Sequence, residues 1–107
     1  DLGKLPIKDS GQTRLVDFGD IDWIDAAGAY MCVHASNETH ILRSTMKELE
    51  QRLPSCFVRI HRSTIVNLNK VKTVEALPKG ESLLHLGDEV VLKVSRNFRA
   101  GIQHLLA

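Results

Sequence analysis

Short apolar runs, many of them alternating with polar positions, recur along the chain and are cut at close intervals by turn residues. Turn signals fall at Gly11, Gly19, Gly28, Asn37, Pro54-Ser55, Asn67 to Asn69, Lys79-Gly80 and Gly87-Asp88. Between them, β-rich or alternating composition predicts strands over 5–8, 14–18, 21–26, 30–35, 40–42, 57–61, 64–66, 71–77, 83–86 and 90–94. The last two flank Gly87-Asp88, which suits a two-residue hairpin loop. Two segments break this rhythm. Over 44–53, Thr45 and Glu48 match a capping box, in which a side-chain oxygen and a carboxylate satisfy the free N–H groups of a helix start. Met46, Leu49 and Leu53 follow at helical spacing, and Pro54 ends the helix. Over 95–106, Ser95 stands as the N-cap and Phe98, Ile102, Leu105 and Leu106 form one apolar stripe, with Gly101 a mild weakness. The pattern predicts a mostly β domain with one internal and one terminal helix.

At 107 residues, 43% hydrophobic and 25% charged, the chain has the size and apolar content of one folded domain. No apolar run is long enough to span a bilayer, and no basic region followed by an apolar stretch marks a signal peptide. Membrane contact is therefore not expected. Cys32 and Cys56 lie among apolar neighbours and read as small core residues, so a reducing cytoplasm is the expected setting. The chain begins at Asp1, which reads as a single domain of a longer protein, with residues 1–10 partly linker and a partner domain upstream.

Charge changes the picture more than composition does. The net charge of +1 argues on its face against a nucleic-acid binder. Yet 57–74 carries Arg59, Arg62, Lys70 and Lys72 with no acid, and 90–107 carries Lys93, Arg96 and Arg99 with no acid. The remainder is net acidic, with Asp17, Asp20, Asp22 and Asp25 clustered in 17–25. If the two basic stretches share a face, the domain has a positive footprint in spite of its near-neutral total. The plainer reading is that they are solvated strand and helix faces.

Within these stretches two short segments stand out. In 57–63, Val58 and Ile60 point one way and Arg59 and His61 the other, with Arg62 and Ser63 delivered at the strand end. Such a tip suits a polyanion: arginine offers a bidentate fork, and histidine and serine offer short hydrogen bonds to phosphate. A lone histidine bonded to a backbone carbonyl is the structural alternative. Arg96 follows the N-cap Ser95, where a cation is mildly unfavourable unless a phosphate or guanine edge is its partner. Pairing with an acid such as Asp25 is the alternative there.

The residues Phe57-Val58-Arg59-Ile60-His61-Arg62-Ser63, followed by Ile65-Val66-Asn67, resemble the F-x-R-x-H-R-S-x-I-V-N signature of the LytTR DNA-binding domain of LytR/AgrA-like bacterial transcription regulators. Three further blocks fall in the family's order. Residues 21–30 resemble its I-x-aromatic-I-E-A-x-G-N-Y segment, 45–49 its T-L-K-E-L helix, and Val94-Ser95-Arg96 its V-S-R. The resemblance implies three small, mainly antiparallel β-sheets with an internal helix and a short C-terminal helix. It implies double-stranded DNA as partner, read by loops in successive major grooves, commonly at paired repeats by a homodimer. It also implies a sensor or receiver domain upstream, no cofactor and no metal. Carried over by position, the 28–30 turn with Tyr30, Arg62 and Arg96 approach base edges. His61, Ser63, Asn67, Ser95 and Asn97 contact the backbone, with Lys93 and Arg99 as phosphate neighbours. Thr64 departs from an aromatic often found after H-R-S, and Ala29 from a polar residue in the G-N-Y turn.

Two other classes compete. An enzyme could use His61 with His34 or His40, or a metal held by Asp20, Asp22 and Asp25. However, Cys32 and His34 lack further ligands at zinc spacing, and no glycine-rich phosphate loop is present. A β-rich single-strand-binding or protein-interaction module would need a stacking platform. The five aromatics, Phe18, Trp23, Tyr30, Phe57 and Phe98, form no such stripe.

Overall fold

The structure, a computed structural model, describes residues 2–106. Its strands are β1 (Lys4–Asp9), β2 (Gln12–Asp17), β3 (Ile21–Ala27), β4 (Tyr30–Ala35), β5 (Glu38–Arg43), β6 (Phe57–His61), β7 (Thr64–Asn67), β8 (Thr73–Ala76), β9 (Ser82–His85) and β10 (Val91–Val94). One α-helix, α1 (Met46–Arg52), follows β5, and a 3-10 segment, Arg96–Leu105, closes the chain. The strands form three antiparallel sheets: the hairpin β1-β2, the five-stranded order β5-β4-β3-β7-β6, and the three-stranded order β10-β9-β8.

The alternation along β3 and β7 explains the layering. Ile24 and Ile65 face a core shared with Leu5, Ile7 and Val16 of the hairpin and Leu49 of α1. Trp23 and Val66 face the opposite side, where Ile60 meets Leu84, Leu92 and Val94 of the small sheet and Ile102 of the terminal segment. The large sheet is thus a partition between two cores, and burying each such aliphatic side chain contributes about 1.5–3 kcal/mol. Residues 1–10, expected to be partly linker, instead contain β1, whose Leu5 and Ile7 are buried.

Tight turns set the strand register. Ser10 and Gly11, and again Ser36 and Asn37, both have positive φ, the geometry that joins twisted strands through two residues. The β9–β10 connection differs from expectation. Leu86 N–H bonds Val90 O at 2.8 Å, so three residues, Gly87 to Glu89, lie outside the ladder, and Asp88 and Glu89 take positive φ.

Thr45 caps α1 as expected, its Oγ1 accepting Glu48 N–H at 3.1 Å. The Glu48 carboxylate, however, accepts the Thr45 hydroxyl instead of a backbone N–H. The terminal segment winds as 3-10, and Ser95 makes no side-chain cap. Its own N–H is drawn across to Ile60 O at 2.9 Å, while its C=O accepts Phe98 N–H. Gly101 is more than a helix weakness. A Cβ there would collide with Val58 Cγ1, so glycine is what lets this segment close onto β6.

Candidate nucleic-acid interface

Three loops come to one rim of the large sheet. The register Ala27↔Tyr30, Tyr30↔Arg43 and Asp25↔Thr64 places the 28–29 turn, the end of β5 and the start of β7 at the same end. Two backbone hydrogen bonds then stitch the motif loops together: Ala26 N–H to Ser63 O at 2.8 Å, and Ser95 N–H to Ile60 O at 2.9 Å. The two basic stretches therefore meet, although they are separated in sequence and sit in different sheets.

The 61–63 turn is built by its own side chains. A bulge between Arg59 and His61 breaks the β6–β7 register and re-aims His61. His61 Nδ1 accepts Ser63 N–H at 3.2 Å and lies 2.9 Å from Ser63 Oγ. With Nδ1 accepting, the neutral ring carries its proton on Nε2, which is the nitrogen left to donate outward. The Arg59 side chain donates to His61 O at 3.2 Å and to Arg62 O, pairs with Glu50 of α1 at 3.2 Å, and lies 5.3 Å from the Phe98 ring centroid. One guanidinium thus joins the turn, the helix and the terminal segment.

The charges on the rim differ in whether they are already neutralised. Arg62, Arg96 and Arg99 are exposed and have no ion-pair partner among the described residues. Lys93 is exposed but pairs with Glu81 at 3.0 Å. Asp25 does not pair with Arg96; its carboxylate bonds His34 Nε2 at 2.7 Å. Ser63 and Ser95 are half-buried and Asn97 is exposed. Tyr30 is 44% exposed, with the Arg43 guanidinium 5.8 Å from its ring centroid.

Asn67 requires a correction. It is 1% exposed, its Nδ2 donates to Ile21 O at 2.9 Å, and its Oδ1 accepts Asn69 N–H at 3.0 Å. Both ends of the amide are spent inside the protein, so the side chain is not presented for the DNA-backbone contact expected of it. Asn67→Ala strands the buried Ile21 carbonyl and removes the partner of the Asn69 N–H, and a denaturant melt should lose about 1–3 kcal/mol.

Sequence reasoning passed over three features of the rim. Arg59 carried a signal, since it shares the motif and strand face of His61, but its role as a clamp depends on packing. Arg43 carried none. Lys79, in the β8–β9 turn, lines a groove with Ser95, Arg96 and Asn97 and has no ion-pair partner among the described residues.

The residues of the enzyme reading scatter. His34 stacks on Trp23, with centroids 3.9 Å apart, at the far end of β3 and β4 from the rim. His40 lies 3.8 Å from Glu38. Cys32 and Cys56 are free thiols, half-buried, and burial together with the nearby Asp25 carboxylate pushes the Cys32 thiol up. No group of three or more His, Cys, Asp or Glu among the described residues could hold a metal ion. No helix among them is long and apolar enough to cross a membrane.

A small β-domain that gathers on one loop rim arginines with no ion-pair partner among the described residues has the charge arrangement of a nucleic-acid-binding module. Residues 11–107 match the LytTr DNA-binding domain, and the chain belongs to that family, which is a DNA-binding and not an enzyme family. The chain is 28% identical to the sensory transduction protein LytR of Staphylococcus epidermidis, over 88% of this chain and 38% of that protein. It is 29% identical to the sensory transduction protein LytT of Bacillus cereus, over 95% and 41%. The chain thus spans about two fifths of the curated relatives it matches. The solved LytTr DNA-binding domain of a DNA response regulator from Bacillus cereus superposes with a TM-score of 0.86 at 25% identity, covering 100% of this chain and 99% of that one.

Proposed function

We propose that the chain is the effector domain of a bacterial transcription regulator and binds duplex DNA sequence-specifically through its rim loops. The observation that carries this reading is the pair of backbone hydrogen bonds that brings Arg62 and Arg96, whose guanidinium groups have no ion-pair partner among the described residues, onto one edge. Each guanidinium fits the O6/N7 edge of a guanine in the major groove. His61 Nε2–H, Ser63, Ser95 and Asn97 hold the phosphate backbone, with Arg99 and, after release from Glu81, Lys93 as further phosphate contacts. Tyr30 packs at the far end of the rim beside Arg43. The rim loops enter successive major grooves, which recur about every 34–36 Å along B-DNA.

In the full-length regulator this domain follows a sensor or receiver domain, acts in the cytoplasm, and binds paired repeats as a homodimer. A competition assay at fixed salt tests the core of the proposal. A duplex selected from a random pool should outcompete either of its single strands by about tenfold or more. Equal competition would instead favour a single-strand-binding module. Affinity should also fall with salt at a slope near −0.9 per phosphate neutralised.

A further inference from the structure

The turn between β8 and β9 belongs to neither motif stretch, yet it touches the arginines of one. A Cβ built on Gly80 would lie 2.5 Å from Arg99 Nη1, 3.2 Å from Arg96 Cγ and 3.5 Å from Arg96 Cδ. The two arginine side chains therefore occupy the space that any other residue would fill. We propose that Gly80 is a positioning residue for DNA recognition: its missing side chain lets Arg96 lie against the turn and fixes the direction in which the guanidinium is presented. The inference rests on the reading of Arg96 as a base-contacting residue.

A turn glycine needs no ligand to explain it, since Gly80 has φ +80°. Gly11 separates the two demands. Its φ is +82°, and nothing lies within 4 Å of a Cβ built there. Asparagine tolerates the left-handed region better than most residues. Gly11→Asn and Gly80→Asn thus put a side chain on backbones of nearly equal φ, and only the second pushes a Cβ into the arginines. The atoms that must give way are the free end of Arg99 and, by a few tenths of an ångström, the stem of Arg96. Such shifts cost little folding stability. They matter for a planar fork that must meet two acceptors at once.

The test measures melting midpoints and affinities for the selected duplex and for random duplex at one salt concentration. The proteins are the parent chain, Gly11→Asn, Gly80→Asn, Arg96→Ala and Gly80→Asn combined with Arg96→Ala. Gly80→Asn should lower affinity for the selected duplex about tenfold and for random duplex less than about twofold. Its midpoint should match that of Gly11→Asn. In the Arg96→Ala background, Gly80→Asn should change affinity for the selected duplex less than about twofold. The proposal is overturned if Gly80→Asn leaves the selected-duplex affinity intact or if its full effect persists without Arg96. It is also overturned if the midpoint drops well below that of Gly11→Asn and binding to both duplexes is lost together. Unchanged affinity in Arg96→Ala alone would instead overturn the reading of Arg96 beneath it.

Discussion

Arg96→Ala should weaken binding to the selected duplex by about 1–3 kcal/mol, roughly 5- to 150-fold, and Arg62→Ala should do the same at a different base position. Both side chains are exposed and lack ion-pair partners among the described residues. Removing either therefore breaks no ion pair or side-chain hydrogen bond among the described residues, and the melting midpoint should move by no more than a typical surface substitution, about 0.5 kcal/mol in stability. Affinity for random duplex should fall only by the loss of one positive charge. Arg96→Lys and Arg62→Lys keep that charge but lose the bidentate fork, so they should retain nonspecific binding and lose most of the discrimination. Fluorescence anisotropy at fixed salt, with base substitutions at each guanine of the selected site, reads all of these. If both alanine variants bind the selected duplex as the parent does, the two arginines do not read bases.

Lys93 provides the internal contrast. Its pairing with Glu81 at 3.0 Å is a surface ion pair, the kind worth at most about 1 kcal/mol. Binding a phosphate means exchanging one anion for another, so the net gain from Lys93 is smaller than from an arginine with nothing to give up. The near-neutral total charge follows the same logic. Acids such as Glu81 and Glu50 already pair with part of the basic set, and the positive field is concentrated where pairing fails.

Most of the fold was legible because its signals are local. The alternation in 30–35 and 57–61 gave β4 and β6 with their boundaries, and Thr45 with Pro54 bracketed α1. The misses all depend on contacts between distant segments. Asn67 looks like one more polar residue at a strand end, and only the fold reveals that Ile21 O waits 2.9 Å from its amide. Ser95 looks like a helix cap, but β6 captures its N–H first. Gly101 and Gly80 look like a flaw and a turn, and each is the point where a neighbouring side chain passes too closely for a Cβ. The candidate site divides the same way. Residue types could be read from motifs, whereas which cations are already neutralised could not, since no spacing along the chain predicts that Glu81 will meet Lys93.

Arg59→Ala should have the broadest effect of any single substitution on the rim. The side chain is 29% exposed, donates to the carbonyls of His61 and Arg62, and bridges Glu50 and the Phe98 ring. Hydrogen bonds from a charged donor contribute about 1.5–3 kcal/mol when buried. The carbonyls lie at a turn that water can reach once the side chain is gone, so the expected loss in a denaturant melt is about 2–3 kcal/mol in all. The DNA phenotype should differ in kind from that of Arg62→Ala. Without the clamp, His61, Arg62 and Ser63 and the packing of the terminal segment loosen together, so affinity should fall for random as well as selected duplex at temperatures where the protein remains folded. Glu50→Gln removes only an exposed ion pair and should cost no more than about 1 kcal/mol. Arg59→Lys preserves attraction to Glu50 but cannot reach two carbonyls in one plane, so it should resemble the alanine variant more than the parent. If Arg59→Lys restores both stability and binding, or Glu50→Gln costs as much as Arg59→Ala, the ion pair to α1 is what matters and the carbonyl clamp is incidental. The opposite pattern would mean that the arginine of this strand acts by holding the turn in the shape that presents its neighbour.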